Sequence, residues 1–125
     1  MAGGFISTKK SRIMTKKIIN LCGKETGIAY CYATEIAFKK YTGEYVDQFD
    51  AQNPEHTLYI ILAAIFSYYQ ALGEEAMVKD EDLMYNATPQ DLVNALTEVF
   101  NLRAEWYKAE PEPEKEEEGK KKKNG

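Results

Sequence analysis

Pro54-Glu-His-Thr-Leu58-Tyr-Ile-Ile-Leu-Ala63-Ala-Ile-Phe-Ser67-Tyr-Tyr-Gln-Ala-Leu72 is the stretch on which the fold turns. The residues before it, Asn53-Pro54-Glu55, form a helix start. An Asn side chain accepts from the first free amides, proline suits the first turn, and an acid faces the positive end of the helix dipole. At about 100° per residue, Leu58, Ile61, Leu62, Ile65, Tyr69 and Leu72 make one apolar stripe. The opposite face (Ile60, Ala63, Ala64, Ser67 and Ala71) is small rather than charged. A helix with no charged face is covered on both sides, by other helices of the chain or by a partner. The apolar run from Leu58 to Leu72 is 15 residues long and contains Ser67 and Gln70. A membrane-spanning helix needs about 20 apolar residues, so this is a buried helix with no role in a membrane.

Working toward the N-terminus, Ile18-Ile19-Asn20-Leu21 and Ile28-Ala29-Tyr30-Cys31-Tyr32 are β-rich runs on either side of a Gly23-Lys24 pair. Glycine reaches the positive φ of a two-residue hairpin turn. Alternation puts Ile19 and Leu21 on one face, and Ile28, Tyr30 and Tyr32 on one face of the second strand. A lone hairpin is marginal in water, so this one must lie on helices or pair with the edge of another chain. Thr34 is expected to cap a helix through Thr42, with Gly43 as its left-handed stop. Ile36, Ala37, Tyr41 and Phe38 would face inward; Glu35, Lys39 and Lys40 would stay wet.

Toward the C-terminus, Asp80–Tyr85 reads as a short helix, and Thr88-Pro89-Gln90-Asp91 opens the last one. In that helix Leu92, Leu96, Val99, Phe100, Arg103 and Trp106 or Tyr107 recur at spacings of 3 and 4. The fold class is therefore mainly α with a short N-terminal β-hairpin, a small α+β fold of a hairpin and three to four helices. Residues 15–108 form a single globular domain. Residues 1–14 are an unpatterned basic arm and 109–125 a Pro-, Glu- and Lys-rich tail, both expected to be disordered.

Charge is unevenly placed along the 125 residues. Residues 1–17 carry five basic groups and no acid, whereas Ile18–Lys108 carry 14 acids against 6 bases, a net of −8. An acidic body argues against binding a phosphate backbone, so no nucleic-acid partner is expected. No secretory signal is visible, and Cys22 and Cys31 are too few for a disulfide scaffold, which points to the cytoplasm with both thiols reduced.

Catalytic constellations are not found. His56 is the single histidine, at a helix start, where solvent exposure is the ordinary reading. The cysteines are nine apart and fit no CxxC pattern; Glu74-Glu75 and Asp80-Glu81-Asp82 lack EF-hand spacing. The expectation is a protein that is not an enzyme and uses no metal or cofactor. Nine tyrosines are spread over every element. Tyrosine suits surfaces that are dry when bound and wet when free.

The segment Lys16–Gly43, KKIINLCGKETGIAYCYATEIAFKKYTG, resembles the opening of the tail assembly chaperones of long-tailed bacteriophages and prophages. In that family a strand, a turn of the form (Asn/Cys)-Gly-Lys-(Glu/Arg), a second strand and a helix closing on Thr-Gly recur. An apolar central helix, a short acidic helix and a Pro-capped last helix follow in the same order. The resemblance covers roughly residues 15–108; Thr26-Gly27 stands where relatives often have an aromatic and a proline. It implies a non-catalytic chaperone that binds and solubilises the tape measure protein and helps recruit tail-tube subunits. Such a protein works in the bacterial host cytoplasm, is not retained in the virion, and has the tape measure and tail-tube proteins as partners, with a homo-oligomer possible. The candidate contact residues are Tyr59, Phe66 and Tyr69 on or beside the central stripe, and Trp106 on the last helix. The small-residue face (Ala63, Ala64, Ser67, Ala71) is the competing location, suited to close helix packing or self-association. The rival classes are a small structural connector and a DNA-associated adaptor using Lys9–Lys17 as its arm.

Overall fold

A computed structural model describes residues 14–108. The expected disorder of the two ends concerns residues outside this range, Met14 excepted. The order of elements is strand β1 (Thr15–Leu21), strand β2 (Lys24–Tyr30), helix α1 (Tyr32–Thr42), a 3-10 turn (Val46–Gln48), then helices α2 (Pro54–Leu72), α3 (Asp80–Tyr85) and α4 (Pro89–Lys108). This is the hairpin-plus-helices fold that the pattern predicts. No described helix is long and apolar enough to cross a membrane.

β1 and β2 pair antiparallel, with Leu21 opposite Lys24 and Thr15 opposite Tyr30. The turn residues are Cys22 and Gly23, at φ 58° and 76°, one position earlier than the Gly23-Lys24 pair suggests. Both sit in the left-handed region that a two-residue turn of this hand requires, and Cys22 occupies it as a non-glycine. Cys22 and Cys31 are both free thiols.

β2 stops at Tyr30, so Tyr32 does not extend its inward face; it opens α1 and is 69% exposed. Cys31 is the residue at the N-terminal cap, in place of Thr34. Thr34 sits three residues further on, and its hydroxyl accepts from the Cys31 N–H at 3.1 Å. That satisfies a backbone donor at the helix start from inside the helix rather than from its cap. α1 buries Thr34, Ala37 and Phe38, while Ile36 and Tyr41, expected inside, stand exposed. Gly43 ends it at φ 79°, and its N–H donates to the Lys39 carbonyl.

α2 starts as its sequence directs, with the Asn53 side chain accepting from the Glu55 and His56 amides. It packs most extensively on β2 and α1, and also touches α4 and α3. Close packing against a sheet and a helix favours short side chains, and the small face is the better buried. Ile60, Ala63, Ala64 and Ser67 are all at most 3% exposed. Of the apolar stripe, Ile61 and Ile65 are buried, Leu58, Leu62 and Tyr69 are half-buried, and Leu72 is exposed. α4 opens with a reciprocal cap, in which the Asp91 N–H donates to the Thr88 hydroxyl and the Thr88 N–H to the Asp91 carboxylate. Its buried line is Ala95, Val99 and Leu102; Leu92, Leu96, Phe100 and Trp106 flank it, and Tyr107 is exposed.

His56 is buried, contrary to the exposed helix-start expectation. Its Nδ1 accepts the Asp50 N–H at 2.9 Å, which leaves the ring proton on Nε2 to donate to the Glu44 carboxylate. The ring also meets Phe38 edge-on, with centroids 5.3 Å apart. One imidazole thus closes the loop between α1 and α2 from both sides.

Candidate functional site

α1 and α2 run antiparallel. Thr34 meets Ser67 at one end, hydroxyl to hydroxyl at 2.8 Å, and the rings of Tyr41 and Tyr59 stack at the other, 5.0 Å apart. The Thr34 hydroxyl is also 3.1 Å from the Ala29 carbonyl, and the Ser67 hydroxyl donates to the Ala63 carbonyl. The polar groups at this close crossing are therefore all partnered. The crossing lies deep, so the larger apolar side chains of the two helices emerge above it. Ile36, Tyr41 and Phe66 are 47%, 44% and 42% exposed.

Phe66 stands as a ridge with a cleft on each side. One cleft, about 220 Å³, lies toward α1 and is lined by Ala33, Ile36, Ala37, Lys40, Tyr41 and Phe66. The other, about 370 Å³, lies toward the segment that precedes α3, between Tyr59, Leu62, Phe66, Ala76, Val78 and Asp80. Beyond Phe66 the surface continues into a third hollow past Tyr69 to Gly73 and the acids Glu74 and Glu75. Charged groups stand at the rims: Lys40 on the α1 side, and Lys79, Asp80, Glu74 and Glu75 on the other. Partial burial raises the Tyr41 phenol above its ordinary pKa, helped by the nearby Asp80 and Tyr59, so this edge of the groove stays a neutral donor.

The four expected contact residues separate. Tyr59 and Phe66 both line the groove. Tyr69 reaches its far end but is engaged internally, since its hydroxyl accepts the Gly27 N–H at 3.0 Å. Trp106 lines none of these clefts and packs on the Tyr30 ring, 5.5 Å away. It belongs to a polar cluster in which the Tyr30 hydroxyl donates to Glu35 at 3.1 Å and Arg103 bridges to Asp47 at 2.9 Å. Burial and the Glu35 carboxylate push the Tyr30 phenol up, far from ionising. That cluster ties the end of α4 to α1. Ile36 and Tyr41, assigned to the interior from their apolar character, are groove residues; the polar Thr34 taking an inward position turns Ile36 outward, while Tyr41 stays on the α2 side, its ring stacked on Tyr59 at the groove edge. Of the competing small face, Ala63, Ala64 and Ser67 are consumed by packing within the chain.

Among the described residues no group of three or more His, Cys, Asp or Glu is placed to hold a metal ion. What the groove can do is cover an apolar surface: aromatic rings and aliphatic side chains flank it, and charges lie only at its rims. No family model, curated protein or solved structure matches the chain.

Proposed function

We propose that this protein is a phage tail assembly chaperone whose α1–α2 groove binds apolar helical segments of a tape measure protein and keeps them soluble until tail-tube subunits are recruited. Two supports stand behind this reading: the resemblance of Lys16–Gly43 to that family, and the exposed apolar groove. The observation that carries it is Phe66, a large ring left 42% exposed between two clefts although its neighbours Ile65 and Ser67 are buried. A long amphipathic client aggregates through its apolar face, and a groove between helices covers such a face with anchors at helical spacing. Monomeric proteins keep extended apolar patches where something binds them.

Co-expression with a tape measure protein as client tests the proposal. The client should be soluble and co-purify with this protein, and the complex should persist in moderate salt because its contacts are apolar. Loss of the complex as salt rises would instead mark a charge-driven adaptor. A client equally soluble with and without this protein, with no complex at low salt, overturns the chaperone assignment.

A further inference from the structure

The two edges of the hairpin are treated differently. The outer edge of β2 is engaged by α1 and α2: its Gly27 N–H goes to the Tyr69 hydroxyl, and its Ala29 carbonyl faces the Thr34 hydroxyl. Because Gly27 donates outward, its pair with Ile18 is a non-hydrogen-bonded one, and the ladder runs through the alternate pairs Lys17–Ile28 and Ile19–Thr26. The backbone N–H and C=O of Lys16, Ile18 and Asn20 therefore point away from β2. Among the described residues nothing pairs with them, and all three residues are exposed. Ile18, an apolar β-branched residue in the middle of this open edge, is 50% exposed. A hollow of about 390 Å³ runs beside it, between β1 and the polar flank of α4 at Asn94, Thr97 and Glu98.

We propose that β1 pairs antiparallel with β1 of a second copy of this chain, about a two-fold axis at Ile18. The register follows from the sequence of the strand itself. An axis at Ile18 makes Ile18 and its counterpart exchange both N–H···O bonds, and sets each Lys16 across from Asn20 of the other copy. It also sets each Lys17 across from Ile19, so no two lysines face each other. Edge lysines ordinarily block pairing by putting like charges together; this register spaces them apart, and Lys17 is already neutralised by Glu98 at 2.9 Å. The two Ile18 side chains meet on the face where Tyr68 covers Gly27, which extends an apolar contact across the axis. The result is one continuous four-stranded sheet with an isologous contact. A contact of strand edges is small, so the dimer is weak and reversible, with a dissociation constant between about 1 μM and 1 mM. This goes beyond the client groove and does not depend on it.

Sedimentation equilibrium of the full chain over that concentration range decides it. The average mass should rise reversibly from 14.3 kDa toward twice that value. Ile18→Pro removes an outward N–H that the hairpin does not use and is tolerated on an edge strand; it should hold the mass at the monomer value. Ile18→Asp, which keeps the N–H but brings two carboxylates to the axis, should do the same, and unchanged far-UV circular dichroism shows that each variant folds. Phe66→Asp should still dimerise. A wild-type chain monomeric throughout overturns the proposal, and so does a dimer that survives both folded Ile18 variants.

Discussion

Gly27 lies against the ring of Tyr68 so closely that a β-carbon at position 27 would fall inside the ring's van der Waals surface. Its N–H is simultaneously bound by the Tyr69 hydroxyl at 3.0 Å. Two consecutive tyrosines of α2 thus clasp one residue of β2, one by shape and one by hydrogen bonding. Any side chain at position 27 would need the space of Tyr68, and a proline there would also lack the donor, so glycine is the residue that fits both contacts. Gly27→Ala should destabilise the fold by about 1–3 kcal/mol, the usual cost of forcing atoms into a packed site. Gly27→Ala in a Tyr68→Ala background should recover much of that loss. Thermal melts of the two variants check this, and equal losses in both backgrounds would remove Tyr68 from the explanation.

α2 predicts an asymmetry between neighbours. Ile61 is fully buried and Leu62 only half-buried at the groove. Ile61→Ala should cost about 2–5 kcal/mol in denaturant melts, and Leu62→Ala below about 2 kcal/mol. A larger loss at Leu62 would mean that the burial of this helix is misassigned.

The hairpin, both ends of α2 and the start of α4 were legible in the sequence because each rests on local chemistry: positive-φ turn residues, Asn53-Pro54, the Thr88–Asp91 pair. Which face of a helix is buried is not local. α2 has apolar residues all round, so its most buried side was set by what it packs on, and the close approach of β2 and α1 selected Ala63, Ala64 and Ser67 over the larger stripe. α1 was misread for a related reason. Thr34 looks like a cap by residue type, yet its hydroxyl can serve Cys31, Ala29 and Ser67 only from an inward position. Placing it inward carries Ile36 out to the surface. That Tyr59 and Phe66 line one groove was legible because both flank the stripe; the separation of Trp106 from them depended on tertiary placement of α4.

His56 should behave as a structural residue. Its two nitrogens hold Asp50 and Glu44, and replacement by Leu leaves the Asp50 N–H without its acceptor. An unsatisfied, part-buried donor costs about 1–3 kcal/mol, so His56→Leu should lower the melting temperature. Amide exchange should show the loss concentrated in the loop between α1 and α2; unchanged exchange there would contradict the role assigned to the imidazole.

Asp82 sets an acid-side dependence. The Lys79 N–H at the start of α3 holds its carboxylate below the usual range, with Lys24 and Asn86 adding to the effect. A pKa lowered by folding stabilises the protein above the unfolded value, about 3.9 for Asp, and the contribution is lost as pH falls through the lower folded value. Asp82→Asn should therefore reduce stability at neutral pH, and the gap to wild type should close under strongly acid conditions. A gap independent of pH would show that the charge of Asp82 is not what matters.

The groove about Phe66 is tested most directly by one comparison: the soluble yield of a tape measure protein, the proposed client, co-expressed with wild type and with Phe66→Asp. Phe66 is 42% exposed and belongs neither to the buried core nor to the half-buried side chains packed against it, so the substitution should leave folding intact, as a circular dichroism melt would show. A carboxylate on the ridge puts an unpaired charge into any apolar contact made there. The expected result is a folded variant that no longer co-purifies with the client, which returns to the insoluble fraction. A folded Phe66→Asp protein that keeps the client soluble and bound as well as wild type does would show that the α1–α2 groove is not where a client is held.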